Sequence, residues 1–349
     1  MHIPDGFLDA KTAAATGALA IAGLGAALRQ ARLRLPARRV PLLGLSAAFV
    51  FAAQMINFPV VGGTSGHLIG GVLTAALLGP GAAVIVISAV LIVQAFLFAD
   101  GGITALGGNV FNMALIGAVG GWAVYHLLSL AIKGLPGRLL AALLAGWTGT
   151  VLASIACAGE LATSGTIDAA SVFPTMIGVH MVIGIGEGLI TALALAAIAR
   201  VRPELLGLSG HEFPVAPVPS QPSAPTCPPN AFRRAVAREP VGSLVVFGLL
   251  ISLGLAWFVA PFACPWPDGL EKVAETLGFG QKEAEHRAVP APAPDYKMPG
   301  IRSEGVAASV AGTAGTILVF GLAWGLAGVL VHKSTRRRPP SDPPRENPL

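Results

Sequence analysis

The sequence predicts an all-α integral membrane protein, with about seven membrane spans in one bundle and two more in a hairpin behind it. Three observations carry this. Of the 349 residues, 54% are hydrophobic and only 12% are charged, about half the charged share of a typical soluble domain. Mean hydropathy is +0.71. Apolar runs long enough to cross about 30 Å of hydrocarbon recur along the chain.

Nine such runs are read in order: 12–29, 40–60, 67–79, 81–98, 108–132, 139–158, 172–199, 242–263 and 305–332. The third is short and ends at Gly79-Pro80-Gly81, where proline cannot continue a helix cleanly. It is therefore expected to be broken or tilted, which at membrane depth requires protein cover or a cavity. Basic residues set the orientation. Arg29, Arg32, Arg34, Arg38 and Arg39 follow the first run. Lys133 and Arg138 follow the fifth, Arg200 and Arg202 the seventh, and Lys333 with Arg336, Arg337 and Arg338 the ninth. With alternating spans all of these share one side. The loops 99–107 and 159–171, which hold no Lys or Arg, fall on the other side with the chain start. The positive-inside rule then places the N-terminus outside a bacterial cell membrane and the C-terminus in the cytoplasm.

This gives a membrane unit over 1–200, a Pro- and Ser-rich cytoplasmic linker over 201–240 and a two-span unit over 241–335. Within the last, 264–304 is expected as an external loop, and 336–349 is expected to be a disordered tail. The net charge of +5 belongs to clusters beside spans, so it argues for topology and against a nucleic-acid partner. Cys157, Cys227 and Cys264 form no CxxC pair and no zinc spacing.

The start, MHIPDGFLD, carries the most chemistry. It lacks the basic n-region of a signal peptide, since Asp5 and Asp9 precede Lys11, so the start is expected to be kept. His at position two disfavours methionine excision, which leaves a free amine on Met1. That amine, the His2 amide nitrogen and the His2 imidazole can chelate one ion through fused five- and six-membered rings. A planar nitrogen set suits Ni(II) or Cu(II), whereas zinc seeks a tetrahedron. His67, in the glycine-rich GGTSGHLIGG, is the candidate fourth nitrogen. Gln54, Asn57, Gln94, Asn109 and Asn112 lie toward the same end of their spans, either lining a pocket or joining helices. His180 and Glu187, seven apart on one helix face, serve either as a structural polar contact or in metal passage. No HExxH, GxSxG or GxxxxGK[ST] occurs, which argues against an enzyme and against ATP hydrolysis in this chain.

Together MHIPDGFL, QMINFPVVGGTSGHLIGG (54–71), NVFNM (109–113) and HMVIGIGEGLIT (180–191) resemble the substrate-specificity subunit, NikM or CbiM, of energy-coupling-factor nickel and cobalt transporters. PDGLE (267–271) and PDY (294–296) resemble the external loop of the accessory subunit, NikN or CbiN. The resemblance implies a NikMN-like fusion that binds Ni(II) or Co(II) as transported substrate through Met1, His2 and His67. It also implies a separate transmembrane coupling subunit and a cytoplasmic ATPase as partners. Asn57, Thr64, Ser65, Asn109, Asn112 and His180 are the expected supporting residues around the ligands. The competing expectation is a self-sufficient secondary cation transporter or channel, for which Glu187 is the one candidate relay residue.

Overall fold

In the computed structural model the described residues are 1–206, 241–283 and 289–335. The expected linker from 207 onward, residues 284–288 of the expected external loop and the expected disordered tail lie outside them. Ten helices and one two-stranded ladder are described below.

Asp9 caps the first helix, α1 (Ala10–Arg34), by accepting from the Thr12 amide at 2.9 Å. A side-chain oxygen there satisfies an amide that a helix start otherwise leaves unpaired. Helix α2 (Val40–Gln54) follows, and it stops short of the span expected to reach residue 60. The chain instead turns through the antiparallel strands β1 (Phe58–Val60) and β2 (Thr64–Gly66), pairing Phe58 with Gly66 and Val60 with Thr64. Gly62 and Gly63 make the turn at φ +94° and +72°, a region glycine enters without steric cost.

The expected third span is not one helix. His67 to Gly70 form a non-helical segment, and only α3 (Gly71–Leu78) is helical. Eight residues rise about 12 Å, which is too little to cross a bilayer alone. Irregular backbone inside a bundle needs its polar groups satisfied by protein, and Glu187 does this. Its carboxylate accepts from the Ile69 amide at 2.6 Å and the Gly70 amide at 3.1 Å. The Ile69 carbonyl takes the Gln54 amide at 2.9 Å, and Gln54 in turn is held by Gln94 at 2.8 Å.

Seven helices are long and apolar enough to cross a membrane among the described residues. They are α1, α4 (Pro80–Phe98), α5 (Leu106–Ala131), α6 (Gly134–Thr163), α7 (Ala169–Val201), α8 (Gly242–Phe262) and α10 (Glu304–Thr335). Helix α4 is the most buried of them and forms the centre of the bundle. Helices α6 and α7 approach at Gly146 and Gly188, where an added Cβ on Gly188 would sit 2.3 Å from the Leu143 carbonyl oxygen. Small residues permit this close packing where lipid offers no hydrophobic drive. The hairpin α8/α10 packs on α2, with Gly44 against Phe320 and Gly315 against Phe51. A short helix, α9 (Gly269–Leu277), lies between α8 and α10 and packs on α7.

Candidate metal centre

The chain start folds inward as a plug. Met1, Ile3 and Phe7 are all buried. Gly6, at φ +96°, reverses the chain. Asn109 clasps Ile3 on both sides, accepting from its amide at 2.7 Å and donating to its carbonyl at 3.1 Å. The Ile3 carbonyl also takes the Gly102 amide at 2.8 Å. A Cβ on Gly102 would meet the Asp5 amide nitrogen at 2.4 Å, so the segment is seated against bare backbone. Asp5 accepts from the amide and hydroxyl of Thr104, at 2.8 and 2.6 Å.

These contacts deliver three candidate ligands to one place. The Met1 nitrogen stands 3.2 Å from His67 Nε2, and the His2 and His67 rings stack at 5.3 Å. A fourth group meets them that sequence reasoning left out of the site. Asp268, in the expected external loop, places Oδ2 at 2.5 Å from the Met1 ammonium. Donor atoms of His2, His67 and Asp268 lie within 4.8 Å of one another. The sequence signals only a helix start here, since Asp268-Gly-Leu-Glu271 reads as a capping box, and both of its hydrogen bonds are present. Asp268 Oδ1 takes the Leu270 and Glu271 amides at 2.8 and 2.9 Å. The two oxygens of one carboxylate thus do separate work.

Asp100 is a second acidic neighbour that was not anticipated. It faces His2 Nδ1 at 3.0 Å and accepts from the Tyr296 hydroxyl at 2.5 Å. Tyr296, like Asp268, comes from the connection between α8 and α10, and Gln94 donates to its oxygen at 3.1 Å.

Electrostatics follow from this crowding. Burial pulls the pKa of the Met1 ammonium down, but the Asp268 carboxylate outweighs it and leaves the pKa raised. Burial, then the ammonium and the His2 ring, push His67 down to about 3, so its ring is neutral. Burial works against ionisation of Asp100 and Asp268. His2 and Tyr296 nonetheless hold Asp100, and the ammonium and His67 hold Asp268, below the ordinary carboxylate range. Tautomers follow from partners. His67 Nδ1 faces the Leu68 carbonyl at 3.2 Å, which leaves Nε2 with the lone pair. His2 Nδ1 faces Asp100, and His2 Nε2 is buried with no partner among the described residues.

The expected supporting residues separate into distinct roles. Asn109 anchors the plug. Asn57 lines the polar cavity of about 470 Å³ beside His2 and His67. His180 lies next to Met1 and His67 in a narrow space and is itself tied to the Met176 carbonyl at 2.8 Å. Thr64 and Ser65 face the second unit: Ser65 Oγ donates to the Trp266 carbonyl at 2.8 Å, and Thr64 Oγ1 donates to the Pro267 carbonyl at 3.1 Å. Asn112 stands apart from the centre, donating to Glu160 at 2.7 Å. Cys157 and Cys264 are free thiols.

Known proteins agree with this architecture. Residues 2–205 match the family described as the cobalt uptake substrate-specific transmembrane region, and residues 242–332 match the PDGLE domain. A putative fused nickel transport protein NikMN of Archaeoglobus fulgidus is 34% identical over 328 residues, spanning 93% of this chain and 98% of that one. The fused nickel transport protein NikMN of Rhodobacter capsulatus is 38% identical over 232 residues, 62% of this chain and 66% of that one. The crystal structure of a transition metal transporter superposes with a TM-score of 0.53 at 35% identity, over 60% of this chain and 98% of its own. The chain belongs to the cobalt-uptake substrate-specific transmembrane family, with a PDGLE domain following it in the same polypeptide.

Proposed function

We propose that this protein captures Ni(II), or Co(II), at the outer face of the cell membrane and serves its ATP-driven import. The coupling membrane subunit and the ATPase are separate chains in this reading. The observation that carries it is the convergence of the Met1 amine, the His2 ring and the His67 ring in one buried pocket. Relatives named for nickel and cobalt transport support the choice of cargo. Orientation rests on the basic clusters, which put the chain start and its pocket outside.

The final site is a plane of four nitrogens: the Met1 amine, the deprotonated His2 amide, His2 Nδ1 and His67 Nε2. The six-membered chelate ring needs Nδ1, the atom that faces Asp100 here. Loading therefore turns the His2 ring and releases Asp100. Affinity alone would favour Cu(II) over either cargo, so geometry and supply decide which ion is carried.

Two added glycines before Met1 move the amine out of the chelate and place the histidine fourth, where it cannot close a new third-position chelate. Calorimetry on the purified extended protein is expected to find high-affinity Ni(II) binding abolished, and unchanged affinity rules out the nitrogen plane.

A further inference from the structure

The arrangement of donors in this structure differs from the nitrogen plane. His2 Nδ1 is taken by Asp100, while its Nε2 is buried, unpaired among the described residues and on the wall of the polar cavity. His67 keeps its lone pair on Nε2. The amine nitrogen is engaged by Asp268 Oδ2 at 2.5 Å. Three side-chain groups remain whose donor atoms lie close enough to share an ion: His2, His67 and Asp268. The cavity that reaches them is lined by further carboxylates, Glu271, Glu275 and Glu283 among them. Such a rim raises the local concentration of cations.

We propose that His2 Nε2, His67 Nε2 and Asp268 Oδ2 form a capture site of mixed nitrogen and oxygen donors, occupied before the nitrogen plane and completed only by the PDGLE unit. The inference rests on the proposed function and adds an order of events to it. A divalent ion arriving with its water shell exchanges water for a carboxylate oxygen and two imidazoles, without any amide losing a proton. Binding of Asp268 to the ion takes that carboxylate away from the Met1 amine. The amine and the His2 amide then each give one proton to cavity water as they bind the metal, the His2 ring follows, and Asp268 is left behind. Asp268 supplies the group that both holds the empty chain start in place and receives the ion that displaces it.

Asp268→Asn separates the two jobs of this residue. Asparagine caps a helix as well as aspartate does, so α9 and the Trp266 and Pro267 contacts with Ser65 and Thr64 before it persist. The amide is a poor ligand for the ion and a weak partner for the ammonium. The experiment mixes Ni(II) rapidly with the full-length purified protein and follows the absorption spectrum at fixed pH. Wild type is expected to show an early species with the weak bands of higher-coordinate Ni(II), decaying into the stronger band of the planar site. In Asp268→Asn the early species should be missing and loading at least about tenfold slower, the scale of losing a supporting metal contact.

Single-phase loading in wild type, or wild-type loading in the variant, overturns the capture site. Loss of final affinity instead of rate makes Asp268 a ligand of the final plane and also overturns it. The glycine-extended protein distinguishes the two levels. If it stops at the early species, both readings stand. If it proceeds to the planar band, the nitrogen plane fails on its own. If it binds no Ni(II), the capture site fails while the plane survives.

Discussion

Two cavities of comparable size lie at opposite ends of the same bundle, and their linings differ in character. The one beside the chain start, about 470 Å³, is walled by imidazoles, amides and carboxylates. The other, about 370 Å³, runs between α2, α3, α7 and α8 and is walled by residues such as Leu42, Leu73, Leu77 and Ile198, with Arg202 at its rim. A dication in the second would lose its water and gain at most the hydroxyls of Ser46 and Thr74, too little to offset the cost. Among the described residues, the polar donors gather in the cavity beside the chain start. The path of the irregular His67–Gly70 segment explains why. That segment brings backbone amides and one imidazole inside, and they are tolerable only because Glu187, Gln54 and Gln94 meet them.

The contrast can be broken by substitution at three depths. The largest effect is expected from His67→Ala, which should weaken Ni(II) binding by at least about tenfold by calorimetry, since even outer partners of metal ligands are worth that much. An unchanged Kd would remove the ring from the site. Next comes Glu187→Ala, which strands the Ile69 and Gly70 amides in the interior at about 1–3 kcal/mol each. A lower thermal midpoint and weaker Ni(II) binding are expected, partly restored in Glu187→Gln, whose single oxygen keeps one amide. If the midpoint in detergent does not move, the clasp contributes nothing to the fold. The smallest effect should come from Leu77→Ala in the apolar groove. Affinity there is expected to stay within about twofold, because distant sites with no shared partner are independent to about 0.5 kcal/mol. A larger shift would mean that the two ends are coupled.

Much of the helical framework was legible from composition and apolar run length, since a span is a local property. The candidates Met1, His2 and His67 could be read because two are adjacent and the third sits in a distinctive glycine-rich turn. What escaped is long-range. Nothing local in PDGLE announces that Asp268 reaches an amine 267 positions away. Asp100 reads as an ordinary loop residue until Tyr296 and His2 arrive beside it. Thr64 and Ser65 looked like support for the metal because they precede His67, yet β2 turns their hydroxyls toward the second unit. Asn112 shares a helix face with Asn109, and Glu160 on α6 claims it. The third run, expected to be broken or tilted, is non-helical at its start, and the place of that break was not legible. Hydropathy registers apolar side chains and is blind to whether the backbone between them is helical.

The union of two units in one polypeptide has a consequence beyond bringing the pieces together. Asp268 and Tyr296 arrive on a covalent tether, so their effective concentration at the mouth is of millimolar order however thinly the protein is spread in the membrane. Every pocket is thereby supplied with one carboxylate and one phenol in fixed proportion. Neither dilution nor an excess of the first unit can separate them, as either could if the second unit had to be recruited from a free pool.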